Sequence, residues 1–144
     1  MGQTGIEFLR DVIAGKLKLA PIQATLGFEL TDVSDGFASL QLSPTEKLYG
    51  VGGAVHSGVA AALLDVAMGT AVTTTLDAQT GYSTAALNVH LTRAITARAG
   101  KLVVEGWVVH RGSRLVTAEG RLTDDQGRLL AHGSVTCSLV ERPL

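Results

Sequence analysis

Cysteine is nearly absent from this chain. Cys137 is the single one among 144 residues, which excludes an intramolecular disulfide framework and a multi-cysteine zinc site. It sits in the strand-like run Val135-Thr136-Cys137-Ser138-Leu139, where a free thiol is expected to be buried. Aromatic residues make up only 4% and the formal net charge is -1, with lysine and arginine dispersed. Neither the charge footprint nor the stacking platform of a nucleic-acid binder is present. No segment reaches the roughly 18 consecutive apolar residues of a membrane span. Glu7, Arg10 and Asp11 also break up the amino terminus, which lacks the continuous apolar core of a signal peptide. The expected setting is cytoplasmic, with neither nucleic acid nor membrane as partner.

The chain has the composition of an ordinary soluble protein, 46% hydrophobic and 17% charged, and its length fits one domain over residues 1–144. Thr4 and Glu7 have the spacing of a capping box, and Ile6, Leu9, Val12, Ile13 and Leu17 recur at helical spacing, predicting a helix within residues 1–20. Residues 21–144 form the expected core. Alternation from Leu26 to Leu42, interrupted by Ser34-Asp35-Gly36, predicts a hairpin with Ala38, Leu40 and Leu42 facing inward. From Ser57 to Thr74 the chain is apolar almost all round, the mark of a helix buried on most sides. A half-buried strand over Thr84 to Ile95 follows, then three more over Lys101–His110, Arg114–Thr123 and Arg128–Val140. An antiparallel sheet curved around the central helix buries it most economically.

Two features carry chemistry. The segment Tyr49 to Gly53 is a glycine-rich loop, but Val55 stands where a dinucleotide fingerprint needs its third glycine and no lysine follows Gly58, so both nucleotide readings fail. The other feature is Asp65, one carboxylate among Ala, Leu, Val and Met, where desolvation of an unpaired charge is costly. His56, Ser57 and Gly58 mark the start of the same helix, whose free N–H groups can polarise a carbonyl or hold an oxyanion. Asp65 lies roughly 13 Å along the helix from them. One helix cannot bring both to one atom, so the spacing predicts a site shared by two antiparallel copies of the helix across a dimer interface.

Gly53-Ala54-Val55-His56-Ser57-Gly58, followed by Asp65, resembles the motif of the hotdog-fold acyl-CoA thioesterases of the phenylacetate-degradation and 4-hydroxybenzoyl-CoA thioesterase type. Ser57 stands in place of a glycine, and Gly50 where many relatives carry Asn or Gln. The strand Leu87–Arg93 and the turn Val109–Arg114 extend the similarity over about residues 20–140. The resemblance implies an α+β hotdog fold, a curved antiparallel sheet wrapped around a long central helix, and a homodimer, often paired into a homotetramer. It implies a hydrolase acting on a small aryl- or acyl-CoA. Asp65 would be the general base or nucleophile and the Ser57 N–H of the partner subunit would polarise the carbonyl, with His56 and Gly58 completing the motif. Gly50, Gly53, Arg93, Arg111, Ser113 and Arg114 would contact substrate or coenzyme A, the arginines through its phosphates. Thiolate leaves readily, so no cofactor and no metal is needed. The rival readings are a hotdog hydratase or dehydratase, whose His-Phe-Pro loop is absent here, and a non-catalytic acyl-CoA-binding protein. His90, His110 and His132 show no ligand spacing and are expected to be surface or hydrogen-bond-satisfied residues.

Overall fold

A computed structural model describes residues 2–142. The chain folds as α1 (Gly5–Ile13), α2 (Pro21–Leu26), β1 (Phe28–Ser34), β2 (Phe37–Leu42), α3 (Ser57–Thr73), β3 (Thr80–Leu91), β4 (Leu102–Arg111), β5 (Leu115–Thr123) and β6 (Leu129–Glu141). Among the described residues no helix is long and apolar enough to cross a membrane.

The capping box forms as expected: the Glu7 N–H donates to Thr4 Oγ1 and the Thr4 N–H to Glu7 Oε2. The opening helix is nevertheless shorter than the predicted span of residues 1–20. It ends at Ile13, where Gly15 adopts a φ of 80° and the Lys16 N–H closes back on the Asp11 carbonyl. Leu17 falls outside the helix and stays 42% exposed. Pro21 then opens a second short helix, α2, from its first position.

All strand pairs are antiparallel, in the order β1-β2-β4-β5-β6-β3. The hairpin turns at Asp35-Gly36, and Ala38, Leu40 and Leu42 are buried. The helix α3 lies across the sheet, with Leu63, Leu64, Ala67, Met68, Ala71 and Val72 fully buried. It can sink this deep because the strands beneath it carry no side chain at the crossing. Gly106, Gly120 and Gly133 are paired in one row across β4, β5 and β6. A Cβ on Gly106 would lie 2.5 Å from the Ala67 carbonyl oxygen, and one on Gly120 would lie 2.9 Å from Met68 Cγ. Gly106→Ala must therefore lift the helix, and is expected to cost about 1–3 kcal/mol, the range for overpacking a tight core. Urea unfolding of the variant checks this; an unchanged midpoint would mean the helix has room to move.

One expectation about burial is corrected. The predicted strand over Thr84 to Ile95 runs instead from Thr80 to Leu91, and its apolar face is only partly covered by this chain: Val89 packs against the core, but Leu87 is 38% and Leu91 50% exposed. The reason is position, since β3 is the last strand of the sheet and only β6 pairs with it. The helix α3 is buried on most sides as expected, and one stripe stays open. Ala61, Ala62, Asp65 and Val66 are only partly covered, and they recur at helical spacing along one stripe. The open edge of β3 and the open stripe of α3 both remain available on the isolated chain.

Candidate functional site

The site is built on α3 and the strand that crosses it. His56 is the N-cap of the helix: its Nδ1 accepts the Gly58 N–H at 2.8 Å. Capping therefore falls to the histidine and not to Ser57, because Ser57 is already the first helical residue. This also settles what the helix can offer. The Gly58 N–H is spent on the cap, and Val59 and Ala60 donate back to the His56 carbonyl. Ser57 retains an N–H with no acceptor among the described residues, and it is exposed. Its backbone is helical, and among the described residues no non-glycine residue has a positive φ, so the serine is accommodated without strain.

A cleft of about 310 Å³ opens at this helix start, lined by Ala54, Val55, Ser57 and residues 91–95, so Arg93 borders it. The glycine loop lies beside it, tied by the Tyr49–Val55 bridge and by the Val55 N–H, which donates to the Ile95 carbonyl. Gly50 backs onto the His56 ring, while Gly53 lies at the loop tip with open space around it.

Asp65 lies two turns further along α3, partly exposed on the open stripe. The hydroxyl of Thr84 on β3 donates to its Oδ1 at 3.1 Å. Thr84 pairs with Cys137 on β6, and a bulge follows at once between Thr84 and Ala86. Such bulges re-aim side chains at strand edges. Burial, then the Asp65 carboxylate, push the Cys137 thiol up, only partly offset by a hydrogen bond with Thr84, so this buried thiol stays protonated and inert. Thr84 is a candidate site residue that sequence reading misses, since threonine is common in strands and nothing local marks this one. Its hydrogen bond fixes the carboxylate, so Thr84→Val is expected to lower kcat by about tenfold to a hundredfold, the value of a hydrogen bond to a charged group. KM would change little, and Thr84→Ser would recover most of the rate. A rise in KM alone would show that Thr84 acts on binding.

The remaining residues are spread over both ends of the sheet. Arg111 ends β4, and Ser113 and Arg114 lie in the β4–β5 turn that follows, near Thr80 at the start of β3 and Glu141 at the end of β6. Arg93 follows the other end of β3, roughly 36 Å away at strand rise. Within one chain they do not converge. His90 and His132 are exposed and stack on each other at 5.1 Å on the outer face of the sheet, and His110 is exposed as well. Among the described residues no group of three or more His, Cys, Asp or Glu side chains is placed to hold a metal ion.

Comparison with known proteins agrees with this architecture. The profile of the Thioesterase superfamily matches residues 52–131, from the glycine loop into β6. A predicted esterase of Halobacterium salinarum is 37% identical over 97 residues, 65% of this chain; the match spans 64% of that relative's length, less than two thirds. The 1,4-dihydroxy-2-naphthoyl-CoA hydrolase of Listeria monocytogenes is 24% identical over 84% of this chain and 97% of its own. Among solved structures, a phenylacetic acid degradation-related protein from Ralstonia eutropha superposes with a TM-score of 0.82 at 26% identity, over 91% of this chain and 98% of its own. With a profile match over more than half of its residues and a six-stranded antiparallel sheet wrapped around α3, this chain belongs to the thioesterase superfamily and has its hotdog fold.

Proposed function

We propose that the protein hydrolyses the thioester of a small aryl- or acyl-CoA at a site formed between two subunits. Asp65 serves as general base or nucleophile, and the Ser57 N–H of the partner subunit polarises the carbonyl. The observation that carries this reading is the placement of Asp65. It stands on the open stripe of α3, held by Thr84, two turns away from the one N–H its own helix start leaves free. A two-fold axis crossing α3 near Ala61 would place each Asp65 opposite Ser57 of the partner subunit. The long free edge of β3 supports such pairing, because an unpaired strand edge with exposed leucines is normally covered. The same axis would bring the Arg93 end of one β3 toward the Arg111–Arg114 turn of the other chain, gathering the dispersed arginines around an anionic coenzyme.

The chemistry follows from these parts. As base, Asp65 takes a proton from water while the hydroxide adds to the thioester carbon; as nucleophile, its carboxylate adds directly and water then cleaves the mixed anhydride. In both cases the negative charge that forms on the carbonyl oxygen is met by a backbone donor fixed at a helix start. The carbon–sulfur bond then breaks, and coenzyme A leaves as a thiolate that needs no strong acid. The Listeria relative, a CoA-thioester hydrolase by name, supports coenzyme A as the carrier. Appearance of free thiol from benzoyl-, phenylacetyl- and short-chain acyl-CoA tests the reading. Absence of thiol release over the whole panel would overturn it and favour a protein that binds acyl-CoA without turnover.

A further inference from the structure

Beyond Asp65, one side chain fills the contact between α3 and β3. Gly69 follows Asp65 by four residues on the same face of α3, and Tyr82 precedes Thr84 by two on the same face of β3. The two elements therefore make successive rungs, Asp65 with Thr84 and then Gly69 with Tyr82. At the second rung the space that a side chain on residue 69 would fill is taken by the tyrosine: a methyl group there would run into the Tyr82 hydroxyl and lie 2.8 Å from its ring carbon Cζ. The phenol is mostly buried. Burial first, then Cys137 and the Asp65 carboxylate, push it up to about 12, so it stays neutral at working pH and presents an uncharged face next to the Asp65 rung.

We propose that Tyr82 sets the acyl length: its ring closes the groove one helical turn past Asp65 and confines the substrate to short acyl or single-ring aryl thioesters. The inference rests on the assignment of Asp65 above. A carbonyl held between Asp65 and Ser57 of the partner subunit sends its sulfur toward solvent and the arginines. Its acyl carbons are left the apolar space between α3 and β3. At 1.5 Å per residue, Gly69 lies about 6 Å beyond Asp65 along the helix. That depth holds a phenyl ring or a few methylenes and no more.

The test compares kcat/KM for butyryl-CoA, benzoyl-CoA and decanoyl-CoA in the wild type, Tyr82→Ala, Tyr82→Leu and Tyr82→Phe. Removing the ring is expected to raise the decanoyl-to-butyryl ratio about tenfold or more, since a few methylenes regained in an apolar pocket carry at least that discrimination. Tyr82→Leu shortens the wall while keeping apolar packing, so it gives the answer even where Tyr82→Ala fails to fold. Tyr82→Phe keeps the ring and with it the wild-type length limit. An unchanged ratio in folded, active Tyr82→Leu would overturn the proposal and leave Tyr82 as core filling. A wild type that already prefers decanoyl-CoA would overturn it too. Failure of the catalytic assignment looks different: Asp65→Asn would retain the full rate, or no thioester would turn over at all.

Discussion

Asp65→Asn is expected to lower kcat/KM for thioester hydrolysis by a hundredfold or more, the usual scale for loss of a positioned base. Asparagine is the same shape and still offers a carbonyl oxygen to the Thr84 hydroxyl, which now reaches Oδ1 at 3.1 Å. The fold has little reason to notice the exchange, because the carboxylate is only partly buried and no ion pair holds it among the described residues. Thermal unfolding within a few degrees of the wild type, beside a collapse in thiol release, would separate chemistry from stability. The amide can neither take a proton from water nor add to a thioester carbon. Undiminished hydrolysis by this variant would remove Asp65 from the mechanism and return it to the status of a hydrogen-bonded structural carboxylate.

Ser57→Pro is expected to reduce the rate by about a hundredfold to a thousandfold, the cost of one lost oxyanion donor. Proline removes the N–H together with the serine hydroxyl, and the local backbone accommodates it. Ser57 is the first residue of α3, the position proline prefers, and His56 before it already has an extended ψ of 137°. Ser57→Ala, which keeps the N–H, distinguishes loss of the hydroxyl from loss of the donor. The sharper result comes from mixing the two inactive variants. If each site draws Asp65 from one chain and Ser57 from the other, a dimer of one Ser57→Pro and one Asp65→Asn chain contains one intact site and one doubly damaged site. Random reassembly makes half of all dimers of this kind, so activity returns to about a quarter of the wild type. A site contained within one chain gives no recovery. Unfolding and refolding the mixture, with thiol release before and after, decides between them.

What could be read from the residues depended on whether the cause was local. The capping box at Thr4 and Glu7 is local, and it formed as written. The end of α1 at Ile13 is set by a left-handed Gly15, while the apolar spacing continues to Leu17 as though the helix did, so periodicity overran it. The order of strands and the inward face of Ala38, Leu40 and Leu42 were legible because alternation reports burial directly. The same rule misled at Leu87 and Leu91, since alternation cannot say whose surface does the covering. At the site, Asp65 was conspicuous for its cost in an apolar helix. Thr84 and Tyr82 were not, for they are ordinary strand residues until α3 is laid across them. Nor could the residues reveal that His56 would cap the helix and so leave Ser57 as the free donor.

The uncovered edge of β3 has a consequence for how the protein lives in a cell. Its 12 residues present a row of unsatisfied backbone groups with Leu87 and Leu91 exposed beside them. Such a border accepts any extended segment that arrives first, a misfolded neighbour as readily as a proper mate. Synthesis rate and local abundance thus become part of this protein's folding problem, because the chance of such a wrong pairing rises with the concentration of neighbours.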